Sequence, residues 1–288
     1  MTEIRVALDA HAELGEGTFW DPDARVLWWV DIWGKLIHRF DPATGADETF
    51  ATPAYVGSLA TRTEGGLVVA LADGFYFFDP PTARWRKVID PADRHPHARF
   101  NDGKTDRQGR FWAGTTFEDP PRPTEYVGAL YRLDADLTVH RMVDGIGSSN
   151  GLAFSPDGRT MYYADSTGGY VWAWDLDPAT GEIDRRRIFI DFRDTGGCAD
   201  GATVDAEGCY WTTLPESGKL ARYDPDGKLM RVIMMPTAIP TCCEFAGPAL
   251  DTLYVTSARL RKLTDPLAGA LFALDVGVKG LTLPPFAG

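Results

Sequence analysis

The sequence predicts an all-β chain closed into a six-bladed β-propeller, and three observations carry that expectation. Short apolar and aromatic runs recur six times, a glycine opens five of six units, and the phrase DPATG occurs twice, at 41–45 and 177–181. The six runs are RVLWWVDI, GLVVAL, GRFWAGTT, TMYYADS, CYWTTL and TLYVTSA. Each is rich in the β-branched and aromatic residues that suit a pleated, half-buried surface. Each follows a turn of the form D-x-x-G or a near variant, such as DRQGR, SPDGR or DAEG. A further strand ending in Asp comes after each run, as in LIHRFD, ALYRLD and LARYD. The opening glycines Gly17, Gly57, Gly103, Gly151 and Gly201 are spaced by 40, 46, 48 and 50 residues. A period of 40 to 50 residues with about four strands per unit is the signature of propeller blades. The segment IRVAL, ahead of the first unit, can supply the outer strand that the sixth unit lacks. That pairing closes the ring and hides an open edge. One domain over 1–288 is the expected organisation.

Composition narrows the functional classes. With 44% hydrophobic and 24% charged residues in 288, the chain reads as globular rather than disordered. Its formal net charge of -12 disfavours nucleic-acid binding, which needs a basic patch to replace phosphate counterions. The run Arg185-Arg186-Arg187 is short and reads as a solvated strand edge. No apolar run approaches the roughly 20 residues that span a bilayer. The first ten residues carry Glu3, Arg5 and Asp9 and no secretory apolar stretch, so a cytoplasmic protein is expected. The four cysteines, Cys198, Cys209, Cys242 and Cys243, form no C-x-x-C pair and read as reduced, mostly buried thiols.

The residues just before the opening glycines are Glu16, Val56, Asp102, Asn150 and Asp200. The first strand of a blade lines the central channel, so equivalent positions point at a common centre. Asp-Gly and Asn-Gly also serve as plain turns, but turn chemistry does not favour Glu before Gly. Carboxylates gathered at one channel mouth repel one another unless a cation balances them. Oxygen donors suit a hard divalent ion. Calcium is the first expectation, with zinc, manganese, magnesium or iron as other occupants. Beside Asp102, Arg99 and Asn101 offer a planar fork of donors and an amide, fit to grip a polyhydroxylated ligand or to brace Asp102. The third unit carries the insertion FEDPPRPTEYVG, a proline-stiffened loop placed to act as a lid. His95 and His97 read as surface residues of a connecting loop. There is no glycine-rich phosphate loop.

These motifs resemble the gluconolactonase, senescence marker protein (regucalcin) and luciferin-regenerating enzyme family, nearly end to end. The resemblance runs through LGEGTFWD at 14–21, RFNDGKTDRQGRFWAGT at 99–115 and SNGLAFSPDGRTMYYADS at 149–166. It continues in DGATVDAEGCYW at 200–211, TLYVTSAR at 252–259 and GVKG at 277–280. It implies a six-bladed propeller that hydrolyses sugar lactones with one divalent metal. It further implies that Glu16, Asn150 and Asp200 hold the ion, with Asp200 also the general base. Arg99 and Asn101 are implied to bind substrate hydroxyls, while Asp102 lies behind the ligands or on a water of the ion. The sequence departs from the family in reading TTFED, so Glu118 or Asp119 takes a substrate-contacting position. The sixth unit also has a shorter loop, TSARLRKLTDPLAG. The expected function is hydrolysis of an aldonolactone to the aldonic acid, by a monomer or weak oligomer whose partner is a small-molecule lactone. The alternatives are a calcium-binding protein of the regucalcin kind, or a phosphotriesterase or arylesterase on the same scaffold.

Overall fold

The computed structural model describes residues 3–117, 126–260 and 264–288. Its described residues form six four-stranded antiparallel sheets. The first blade runs Gly15–Asp21, Val26–Asp31, Leu36–Phe40 and Asp47–Ala51, and the second starts at Val56–Thr61. Blades three, four and five start at Ala98–Thr105, Ser149–Phe154 and Ala202–Val204. The sixth has Pro240–Ala246, Thr252–Ser257 and Leu271–Asp275, and its fourth strand is Ile4–Leu8 from the other end of the chain. Ile4 pairs with Leu274 and Val6 with Phe272, as the IRVAL segment suggested. Each blade's first strand touches that of the next, and the sixth touches the first, so these six strands ring a central channel. Among the described residues the only helical turn is Pro80–Thr82, and no helix is long and apolar enough to cross a membrane.

The recurrent turn has a physical job. In blade three the Asp106 carboxylate accepts from Trp112 Nε1 at 3.0 Å and from Arg110 Nε at 2.7 Å. In blade five Asp205 accepts from Trp211 Nε1 at 2.8 Å and Arg222 Nε at 2.8 Å. A buried tryptophan N–H usually finds a partner, and in these two blades the turn aspartate supplies it six residues earlier. Gly109 and Gly208 have φ near +80° and +82°, the left-handed region that lets the turn close. Apolar side chains of neighbouring blades then interlock, with Trp29, Trp112, Trp211, Tyr131 and Tyr163 among the largest buried groups.

The C-terminal segment crosses the far end of the channel. Ala206 N donates to Lys279 O, Thr105 Oγ1 to Pro284 O, Ala287 N to Gly109 O and Phe286 N to Thr61 O. These partners sit at or just past the ends of their blades' first strands, opposite the end that carries Glu16 and Asn150. Phe286 is fully buried there.

Candidate metal centre

A break in regular pairing shapes the start of five of the six channel strands, the strand of blade five excepted. Glu16 pairs with Val30, and regular pairing resumes only at Phe19 with Trp28. Asn150 pairs with Ala164, and pairing resumes at Ala153 with Tyr162. The extra residue at each break lets Gly17 and Gly151 take φ of +58° and +57°. Glu16 and Asn150 thus hold equivalent places, as the residue-before-glycine pattern suggested. Asp102 does not. In blade three the equivalent residue is Phe100, paired with Thr115, and pairing resumes at Gly103 with Ala113. Asn101 and Asp102 lie inside that bulge, so the alignment on the opening glycine is off by two there. Asp102 Oδ2 accepts from Leu152 N at 2.8 Å, in the bulge beside Asn150.

The loop before each of these positions is pinned by an aspartate that the sequence reading passed over. Asp31 accepts from Glu13 N at 2.9 Å and Leu14 N at 3.0 Å. Asp165 accepts from Gly147 N at 3.1 Å and Ser148 N at 3.0 Å. Each stands 15 residues after the channel residue it supports, in WWVD and YYAD, and that shared spacing was the available signal.

A chain of hydrogen bonds links the mouth. Arg99 Nη1 donates to Asn101 Oδ1 at 2.6 Å and to Phe100 O at 3.0 Å. Asn101 Nδ2 donates to Asn150 Oδ1 at 2.9 Å and Ser149 O at 2.8 Å. Asn150 Nδ2 donates to Ser166 Oγ at 2.8 Å, and Ser166 Oγ donates to Ala199 O at 2.6 Å, beside Asp200. With its N–H₂ tied to Ser166, the Asn150 amide has a fixed orientation and presents its oxygen on the Asn101 side. Asn101 is therefore engaged as a support for Asn150, a use that the sequence did not reveal. Glu118 and Asp119 lie outside the described residues, as does most of the proline-rich insertion.

The electrostatics are those of an acidic cluster short of positive charge. Glu16 is buried, and Asp200 is partly exposed at the mouth. Their carboxyls come within hydrogen-bond reach of each other. Burial, then the charges of Asp200 and Asp102, hold the Glu16 carboxyl well above the ordinary carboxylate range. Burial, then the charge of Asp102, pushes Asp200 up to about 8. Such a pair keeps a proton that a cation can replace. Among the described residues no three His, Cys, Asp or Glu side chains cluster as a ready metal set. The candidate donors are instead two carboxylates and the Asn150 amide oxygen, an all-oxygen set that fits a hard divalent ion.

The remaining candidates stand apart. All four cysteines are unpaired thiols. Burial and the Asp200 charge push Cys198 up to about 11, and burial pushes Cys242 well above the thiol range, so neither offers a thiolate nucleophile near neutral pH. His97 is exposed and His95 half-buried, on the connection leading into blade three.

Comparison with known proteins agrees with this architecture. Residues 14–259 match the model of the SMP-30/Gluconolactonase/LRE-like region. A 6-deoxy-6-sulfogluconolactonase of Pseudomonas putida is 38% identical over 281 residues, 96% of this chain and 95% of that protein. A pentonolactonase of Haloferax volcanii is 34% identical, covering 97% of this chain and 96% of its own. The crystal structure of regucalcin, a calcium-binding protein from Agrobacterium tumefaciens, superposes with a TM-score of 0.93 at 30% identity, covering 100% of this chain and 98% of its own. The chain belongs to the SMP-30/gluconolactonase/LRE-like family.

Proposed function

We propose that this protein hydrolyses a sugar lactone to the open-chain aldonic acid, with one divalent ion held by Glu16, Asn150 and Asp200. The observation that carries the proposal is the Glu16–Asp200 carboxyl pair, protonated above its ordinary range beside an amide oxygen of fixed orientation. Membership of a family whose relatives include sugar lactonases supports the reaction class. A bound divalent ion would supply a Lewis acid for the lactone carbonyl. Asp200, at the exposed side of the pair, accepts a proton from the attacking water and returns it to the ring oxygen as the acyl C–O bond breaks. Arg99 and Asn101 hold Asn150 in register and are proposed to contact sugar hydroxyls as well, Asn101 through its amide oxygen. Glu118 or Asp119 is proposed to contact the same hydroxyls.

The supporting name of the Agrobacterium protein, a calcium-binding regucalcin, favours calcium as the ion. The same residues would then also serve a chain that binds calcium without turnover. A panel of aldonolactones assayed with Ca²⁺, Mn²⁺, Zn²⁺, Mg²⁺ and Fe²⁺ separates the two. Ring opening that requires the ion supports the lactonase. Ion binding with no turnover of any lactone overturns it.

A further inference from the structure

Two of the proposed ligands are held from the preceding blade in the same way. Ile32 N donates to Leu14 O, and Ser166 N to Ser148 O. By the alternation of an antiparallel ladder, the carbonyls of the next residues, Gly15 and Ser149, point out of their own blades. Gly15 precedes Glu16, and Ser149 precedes Asn150. Asn101 Nδ2 of blade three donates to Ser149 O at 2.8 Å. Thr241 Oγ1 of blade six donates to Gly15 O. Asn101 and Thr241 hold the same register place, directly after the pairs Phe100 with Thr115 and Pro240 with Ser257.

Thr241 also reaches the other carboxylate. Its carbonyl accepts from Gly201 N at 2.7 Å and from Thr213 Oγ1 at 2.6 Å. Gly201 follows Asp200, whose own N–H donates to Thr213 O at 3.0 Å. One residue, only 1% exposed, is thus bonded to the backbone next to both carboxylates of the pair. The Thr241 proton is committed to Gly15 O, so Thr256 Oγ1, 3.0 Å away, donates to the Thr241 hydroxyl. The one carboxylate in the channel strand of blade six is engaged elsewhere. Glu244 accepts from Lys104 Nζ at 2.6 Å and from Thr203 Oγ1 at 2.8 Å.

We infer that Thr241 is a positioning residue, a clamp that sets the spacing of Glu16 and Asp200 for the ion. The inference rests on the metal site proposed above. The hydroxyl fixes the blade-one side and the carbonyl fixes the blade-five side. Blade six therefore joins two ligands without supplying one. Valine in this place has nearly the same volume but no hydroxyl. Gly15 O then loses its donor, and Glu16 is free to shift relative to Asp200. Partners that orient ligands from behind carry about 10- to 100-fold in ion affinity.

The test is Mn²⁺ titration read by electron paramagnetic resonance on the full chain, with thermal transitions measured in chelator alongside. It compares wild type, Thr241→Val and Thr241→Ser. Thr241→Val should raise the dissociation constant about 10- to 100-fold, while Thr241→Ser, which keeps the hydroxyl, should bind close to the wild-type value. An unchanged dissociation constant in folded Thr241→Val, whatever its Tm, overturns the inference. So does a Thr241→Ser that binds as weakly as Thr241→Val, since the hydroxyl is then not what matters. If Thr241→Val does not fold, Thr241→Ala is read in its place. If neither folds, the hydroxyl serves folding rather than the ion, and the inference falls. A wild type that binds no Mn²⁺ is a separate result. It overturns the metal site itself and leaves the clamp with nothing to position.

Discussion

Removing the negative charge of the Glu16–Asp200 pair should stabilise the metal-free protein, and more at alkaline pH than at acid pH. The perturbation is the double variant Glu16→Gln/Asp200→Asn, compared with wild type in chelator at pH 5.5 and pH 8.5. Burial raises Asp200 from its ordinary 3.8 to about 8, so the folded protein keeps a proton that the unfolded chain releases near pH 4. Between those values the native state binds more protons than the unfolded state. Stability therefore falls as pH rises through that window and levels off above about 8. Four pH units at about 1.4 kcal/mol each give roughly 6 kcal/mol as an upper bound. Because the two carboxyls titrate as a pair and Asp200 is partly exposed, about half of that, ~3 kcal/mol, is the working figure. A chain of 288 residues has an unfolding entropy of roughly 0.6 kcal/mol/K, at about 2.1 cal/mol/K per residue. The expected gain for the neutral variant is thus about 5 °C in Tm at pH 8.5 and only a degree or two at pH 5.5. A divalent ion should raise the wild-type Tm more at pH 8.5 than at pH 5.5, since it competes with the retained proton. Scanning calorimetry reads both effects. A variant equally displaced from wild type at the two pH values would refute the reasoning.

Two further outcomes follow from the supporting bonds. Asn101→Ala removes the donor that holds the Asn150 oxygen, so the dissociation constant for Mn²⁺ should rise about 10- to 100-fold. An unchanged ion affinity with a raised KM would instead make Asn101 a substrate contact alone. Asp205→Ala leaves Trp211 Nε1 and the Arg222 guanidinium without their buried partner, at a cost of about 3–5 kcal/mol, or roughly 5–8 °C in Tm. A loss under 2 °C would show that this turn bond is dispensable.

The fold was legible because a propeller repeats its chemistry. Turn aspartates, glycines of positive φ and aromatic strands recur in most of the blades, and IRVAL lacked a partner anywhere but the sixth unit. The site was legible where it followed the repeat, at Glu16 and Asn150. It was misaligned at Asp102, because a bulge shifts register and single-residue patterns do not show where a bulge falls. The Lys104–Glu244 pair was invisible for another reason. Its members are 140 residues apart, and the sixth unit has Thr241 at the register place that Gly17 and Gly151 fill. The support that Asn101 gives Asn150 was not legible, because an amide beside an arginine gives no sign of which neighbour it serves.

The central claim is an ion-dependent opening of a lactone ring in which Asp200 moves the proton, and Asp200→Asn tests it most directly. The amide still offers an oxygen to the ion but accepts no proton. Ion content and aldonolactone turnover are measured on the same preparations of variant and wild type. The account predicts that the variant keeps one divalent ion while kcat falls by on the order of 10² or more. A variant with its ion and near-normal turnover would contradict the role of Asp200 as the base.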